Sequence, residues 1–413
     1  MHRTRNLVLI GADWLRPKDP PISLATASIA AACSEVADVL THTLNLNKPS
    51  FNVGSEMKPL LSKIGRQVEN PIFAVGGYVW ADHILNEVAL EIRKEFGTSF
   101  DILLGGPQVT YAPESEDEGF LRQHYPAYTG FVRGSGEVPM REILHGKAVD
   151  LPLPSPILNG WLKPQSFMRM ESQRGCPFTC TFCAHKDVKN KRIYINNERV
   201  LRECAWMVEH SQLGVVNDLA FVDPTFNSGQ HYISVLEALR GFKGKISFQS
   251  RAEMVTPAFV DAVSELSKTT RVVLEFGIQT IIKDEYATIE RPNNMKKVND
   301  CLKTLNEHGI PYELSFIYGL PFQTLHSFQK TYEWALYTTS THALGDAKAK
   351  FFPLMLLRGT KLFEQKDKYN LKTSDSLGVD ISGRVGNGIP HVISSNTFDL
   401  SDWYKMNEIA NAL

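Results

Sequence analysis

From Asn6 to about Gly146, short apolar runs alternate with amphipathic stretches. The runs are Asn6 to Gly11, Val39 to Leu46, Pro71 to Val75, Phe100 to Leu104 and Gly130 to Val132, each continuous enough for a strand buried on both faces. Between them Ser23 to Val36, Ser55 to Val68, Ala81 to Phe96 and Val138 to His145 carry helical spacing. Strand and helix in strict alternation predict a parallel sheet with helices on both sides.

That pattern corresponds to a Rossmann-like or flavodoxin-like α/β domain over residues 1–147. Residues 148–166 hold Pro152, Pro154, Pro156 and Pro164 with little periodicity and are expected to link two domains. A second series follows, with strands expected at Phe167–Glu171, Asp218–Asp223, Lys245–Arg251, Arg271–Ile278, Tyr312–Gly319 and Lys348–Leu356. Helical patterns at Asn196–His210, Gln230–Phe242, Pro257–Lys268, Met295–His308 and Leu325–Thr341 fill the gaps. Six strands with five intervening helices predict a partial (β/α)6 TIM-like barrel over 167–361, whose chemistry belongs at the carboxyl ends of the strands. A C-terminal extension, 362–413, opens on the polar stretch Lys366 to Asn387 and closes on a helical pattern from Asp399.

A length of 413 residues suits two domains and a tail. Forty-four basic against forty-five acidic residues, with no dense basic run, argue against nucleic acid as a partner. No apolar stretch reaches the roughly 18 residues a membrane helix needs, and the run after Arg5 is too short for a signal peptide, so a soluble, cytoplasmic protein is expected. Of six cysteines, Cys33, Cys204 and Cys301 are scattered through apolar or helical patterns and are expected to be small core residues. The other three crowd into eight positions, which points to metal.

These three lie in Arg174-Gly-Cys-Pro-Phe-Thr-Cys-Thr-Phe-Cys183, directly after the first strand of the second series. Cys176, Cys180 and Cys183 on one short loop can ligate three corners of an iron–sulfur cube and leave the fourth iron open. The alternative is a zinc site completed by His185, for which the loop would have to fold four ligands around one ion within ten residues. The spacing, with Phe182 just before the third cysteine, resembles the signature of the radical S-adenosylmethionine (SAM) superfamily. The resemblance implies a 4Fe-4S cluster that binds SAM at its open iron and cleaves it reductively to a 5'-deoxyadenosyl radical.

The resemblance extends along the barrel. It implies SAM contacts from Asp223, where this chain departs from the family's Gly-Gly-Glu pattern, and from Arg251, Glu275 and Gln279. It also implies that Ile317-Tyr-Gly319-Leu-Pro321 packs against adenine. Tyr318, Met355 and Arg358 are candidates to face the substrate, a small molecule, and an electron donor such as flavodoxin or ferredoxin is implied. The first domain resembles the cobalamin-binding domains fused ahead of many radical SAM enzymes, through Pro21–Ala25, Leu103–Pro107 with Pro113-Glu114, and Val132–Glu137. Asp82-His83 does not have the spacing of the Asp-x-His-x-x-Gly motif that supplies a lower cobalt ligand, and the motif occurs nowhere in the chain. With cobalamin the expected reaction is methyl transfer to an unactivated carbon or phosphorus. Without it, dehydration, epimerisation, rearrangement or aminocarboxypropyl transfer remains open. A methylthiotransferase is disfavoured, because Cys33, Cys204 and Cys301 do not form the set that a second cluster needs.

Overall fold

The computed structural model describes residues 6–67, 70–114, 118–148, 152–185, 193–291, 293–376 and 388–412. The end of the polar tail stretch expected at Lys366–Asn387, the start of the linker, and residue 68 of the second expected helix fall outside these. The chain divides into two compact units, Met1–Gln165 and Ser166–Leu413.

The first unit runs β1 (Asn6–Asp13), α1 (Leu24–Cys33), β2 (Asp38–Asn45), α2 (Val53–Gln67), β3 (Pro71–Gly76), α3 (Leu85–Phe96), β4 (Ile102–Gly105), α4 (Pro107–Thr110), α5 (Gly119–His124), β5 (Gly130–Val132) and α6 (Glu137–His145). Its five strands are parallel in the order β2-β1-β3-β4-β5, the flavodoxin-like arrangement. The apolar run of β1 reflects burial on both faces. Val8 and Ile10 join a core with α2 and α3, whereas Leu7 and Leu9 join the core under α1 and α6. Ser23 starts α1 by accepting a hydrogen bond from Thr26 N. Beyond β5, Ile157 and Leu162 of the proline-bearing stretch are buried, and Trp161 packs against the core beneath α1 and α6.

At the carboxyl edge of this sheet the loops after β3 and β4 lie backbone to backbone. Gly77 N donates to Gly105 O at 2.7 Å and Gln108 N to Gly77 O at 3.2 Å. Gly106 sits at φ 93°, and a Cβ there would stand 2.8 Å from Gly77 O. The glycine is therefore required by loop-to-loop contact as much as by any ligand edge.

The second unit runs β6 (Phe167–Met170), β7 (Gln173–Arg174), β8 (Ile193–Tyr194), α7 (Asn197–Gln212), β9 (Asp218–Phe221), α8 (Tyr232–Ala238), β10 (Lys245–Ser250), α9 (Pro257–Ser267), β11 (Arg271–Gln279), α10 (Lys283–Thr288), α11 (Met295–Glu307), β12 (Tyr312–Tyr318), α12 (Leu325–Ser340) and β13 (Ala347–Pro353). It closes with α13 (Lys361–Glu364), β14 (Lys372–Ser374), β15 (His391–Ser394) and α14 (Leu400–Ala410). Six parallel strands in the order β6-β9-β10-β11-β12-β13 form the partial barrel. Strands β6, β9 and β12 alternate strictly, whereas β10 and β11 each hold a run of three buried residues. In β12, Tyr312, Leu314, Phe316 and Tyr318 are buried while Glu313, Ser315 and Ile317 are half-buried. Ring contacts place the buried set against α12, with Phe316 beside Trp334 and Tyr318 beside Phe328.

Three features are absent from the sequence expectation. The two-residue strands β7 and β8 pair antiparallel and frame the cysteine loop. A short helix, α10, follows β11. In the tail β14 and β15 form an antiparallel pair, Met355 bridges to His391, and Trp403 of α14 is fully buried beside Tyr318. Among the described residues no helix is long and apolar enough to cross a membrane.

Candidate functional site

The cysteine loop is fixed from both sides. Thr181 N donates to Ile289 O and Leu362 N donates to Thr181 O, each at 2.9 Å, so the middle of the loop is held between the end of α10 and the start of α13. Cys183 N closes a turn on Cys180 O at 3.2 Å. Cys176 Sγ lies 3.4 Å from Thr225 Oγ1, beyond the end of β9, and His185 N donates to Cys183 Sγ at 3.4 Å. Burial pushes the Cys183 thiol up to about 11, with Cys180 and Cys176 adding to the rise. A thiol raised in this way becomes a stable thiolate only when a cation compensates it. Among the described residues no three His, Cys, Asp or Glu side chains converge as ligands of one ion would. Thiolates at separate corners of a cube need not converge in that way.

Around the loop the strand ends supply polar groups. Asp223 is fully buried beyond β9, and its carboxylate accepts from Ser172 N at 2.8 Å and from Ser172 Oγ. Burial, opposed by those bonds, raises its pKa to about 6. It thus ties the residue before β7 to the second barrel strand. Arg251, at the end of β10, is 6 % exposed; its guanidinium lies 3.9 Å from the Phe178 ring centroid of the cysteine loop and pairs with Glu253 at 3.3 Å. Its backbone is bracketed by Asn227, which donates Nδ2 to Arg251 O and accepts from Arg251 N, both at 2.9 Å. Phe182 is half-buried, between the buried Thr181 and the half-buried Cys183.

On β11 two expected site residues part company. Gln279 ends the strand at φ 71°, where the register with β12 shifts between Gly277 and Gln279. Glu275 lies four residues earlier, about 13 Å back along an extended strand. It is in register with Gln249 and Glu313; burial raises its pKa, Glu313 adds to the rise, and Lys350 opposes it. On β12 Ile317 is half-buried, and Gly319 N donates to Gln323 Oε1 at 2.7 Å. Gly319 has φ 88°, and a Cβ there would stand 3.1 Å from Val392 O of β15, so the tail passes directly over this turn. Tyr318 is buried and donates to Asn407 Oδ1 at 2.7 Å, which makes it a packing residue. Met355 is exposed and Arg358 half-buried.

Arg291 was not singled out by the sequence. Its guanidinium donates to Cys180 Sγ at 3.6 Å and to Gly277 O, and its charge also acts on Cys183. Nε of the same side chain is buried without a partner. Those hydrogen bonds end on a carbonyl and a thiol, so this cation gains a counter-charge when the thiol ionises. No spacing rule marks it, because it reaches the loop from the turn between α10 and α11.

Comparison with known proteins gives the same picture. Residues 170–335 match the family model described as the radical SAM superfamily. A cobalamin-dependent radical SAM methyltransferase, TokK, from Streptomyces tokunonensis is 23% identical over 360 residues, covering 75% of this chain and 50% of the relative. A 2-(S-pantetheinyl)-carbapenam-3-carboxylate methyltransferase from Streptantibioticus cattleyicolor is 24% identical over 317 residues, covering 62% of this chain and 44% of the relative. The chain spans about half the length of these relatives. Among solved structures, the radical SAM methyltransferase TsrM from Kitasatospora setae, bound to tryptophan and a SAM analogue, superposes with a TM-score of 0.72 at 13% identity, covering 98% of this chain and 89% of the other. OxsB, a cobalamin-dependent SAM radical enzyme bound to aqua-cobalamin and SAM, superposes at 0.67 with 15% identity, covering 98% and 66%. The chain therefore shares its fold with these structures, and residues 170–335 match the radical SAM superfamily model.

Proposed function

We propose that the protein is a cobalamin-dependent radical SAM enzyme that transfers a methyl group to a small molecule. The observation that carries this reading is the cysteine loop, framed by its own strand pair at the carboxyl end of the barrel with a half-buried arginine against one thiol. The donor set fits an iron–sulfur cube, since three soft ligands share one loop and His185 meets Cys183 through its backbone N–H. Support for cobalamin comes from the flavodoxin-like order of the first unit and from the names of the relatives, TokK being a cobalamin-dependent methyltransferase and OxsB a cobalamin-dependent radical enzyme.

When bound, the cluster supplies the electron that cleaves SAM and the corrinoid carries the methyl group. This chain's residues would do the holding. Cys176, Cys180 and Cys183 are the iron ligands. Arg291 and Arg251 offer the cations for the SAM carboxylate, Arg291 with its charge turned on the cysteine loop and Arg251 by exchanging its contact with Glu253. Gln279 presents its amide at the end of β11, and Ile317 with Gly319 forms the apolar edge for adenine. Asp223, committed to Ser172, holds the base of the loop. Glu275, in mid-strand, lies on the polar inner face toward the substrate side. Reduction requires a small electron donor of the flavodoxin or ferredoxin type.

The test is anaerobic purification followed by reconstitution. Iron and sulfide near four per chain, about one cobalamin per chain, and SAM cleavage are expected. A colourless protein whose bound metal is zinc would refute the radical reading. SAM cleavage with no retained cobalt would replace methyl transfer by a direct radical reaction.

A further inference from the structure

We propose that Glu285 is a positioning residue: its buried carboxylate holds the ends of β11 and β12 in the conformations that receive SAM. This rests on the reading of the barrel as a SAM-binding domain and extends it to a residue outside the expected site.

Two residues at these neighbouring strand ends take a backbone conformation that side chains rarely adopt. Gln279 has φ 71° and Phe322 has φ 63°. Such conformations persist only where the surroundings over-determine them. The residue after each, Thr280 and Gln323, is fully buried, and both donate to the same oxygen of Glu285. Thr280 Oγ1 reaches Oε2 at 2.5 Å and Gln323 Nε2 reaches it at 3.3 Å, while Ser327 Oγ donates to Oε1. Glu285 itself is 0 % exposed.

From this carboxylate the constraint passes to the proposed cofactor contacts. Gln323, its Nε2 occupied by Glu285 and Ile317 O, is obliged to turn Oε1 outward, where it accepts from Gly319 N at 2.7 Å and Leu320 N at 3.3 Å. An amide fixed at one end can orient the turn at the other. On the β11 side, Thr280 Oγ1 also accepts from Ile282 N at 3.1 Å, and Asn293 Nδ2 donates to Ile278 O and Thr280 O. Gln279 is thereby set between groups that cannot turn. A carboxylate accepts from all three groups here, whereas an amide in its place has one acceptor oxygen and obliges at least one hydroxyl to turn from donating to accepting.

The experiment uses full-length protein, anaerobically loaded with iron and sulfide, with S-adenosylmethionine as the probe. For Glu285→Gln, the protein should stay folded with iron content near wild type while the dissociation constant for SAM rises about tenfold, the effect of one lost hydrogen bond at the site. Thr280→Val should weaken SAM binding similarly, and Thr280→Ser, which keeps the hydroxyl, should restore it. Should Glu285→Gln fail to fold, the threonine pair decides alone. Wild-type SAM affinity in the folded Glu285→Gln and Thr280→Val variants would overturn the inference while leaving the radical SAM reading intact. A wild-type protein that holds its cluster yet binds no SAM would overturn the reading itself, and this inference with it.

Discussion

Replacing Arg291 with Met should lower the midpoint potential of the cluster without removing its iron. The arginine places a full positive charge 3.6 Å from Cys180 Sγ. A charge at that distance from one added electron is worth at most about 5 kcal/mol at an effective dielectric constant near 20. The added charge spreads over the cube, so that the mean separation roughly doubles and the stabilisation falls to about 2 kcal/mol. One electron and about 59 mV per tenfold convert this to a shift on the order of 100 mV, the reduced state being the one that loses. The assay is an anaerobic redox titration of the reduced cluster's EPR signal, without SAM, alongside iron and sulfide determination. Arg291→Lys should fall between the two, since it keeps the charge but not the fork that reaches both Gly277 O and the sulfur. A potential equal to or above wild type, at full iron content, would show that the guanidinium does not act on the cluster.

Two further outcomes test the supports of the loop. Burial raises the pKa of Asp223 from 3.8 to about 6, so the folded state keeps a proton that the unfolded chain releases between these values. Stability from this group is complete below about 4 and is lost as pH rises to 6, a change of about 3 kcal/mol. In chemical denaturation at pH 4.0 and 6.5, Asp223→Asn should lack this component, and identical pH dependence in both proteins would refute it. Asn227→Ala leaves Arg251 N and O without their bracket and should cost roughly 3 kcal/mol, lowering the thermal transition by about 6–12 °C. Asn227→Asp, which retains the acceptor, should lose about half as much, and equal losses would show that the bracket is not the cause.

The parallel strands were legible because a buried strand must be apolar on both faces or must alternate, and both patterns are visible in sequence. The cysteine loop was legible because its ligands are local. What surrounds it was not. The strands β7 and β8 have two residues each and no periodicity, yet they frame the loop. Arg291 reaches Cys180 only because the chain reverses at Glu290, whose φ is 49°, and because the register slip near Gly277 turns a carbonyl toward it. Glu275 and Gln279 look equivalent in sequence, and only the strand register shows that one ends the sheet and the other lies deep within it. Tyr318 looked available to a substrate, but alternation puts it on the helix side, where the tail helix supplies Asn407.

The same alternation gives this barrel a polar inner face. In a closed eight-stranded barrel the interior is filled by branched apolar side chains. Here the positions that contact the helices, such as Leu314, Phe316 and Phe351, carry the core, and the opposite positions carry Gln249, Glu275, Glu313, Ser315 and Lys350. Glu313 pairs with Lys350 across the strand boundary, and for Glu275 burial and Glu313 outweigh Lys350 and Lys245, so that its pKa stays raised. Charged side chains tolerate such positions only where water or a polar guest reaches them. Six strands leave that face open, so the sequence can spend polar residues on it and place most of its hydrophobic residues behind the sheet. An apolar replacement such as Glu313→Leu should then leave the fold in place and impair the site, because the stability of the barrel is held by the other face.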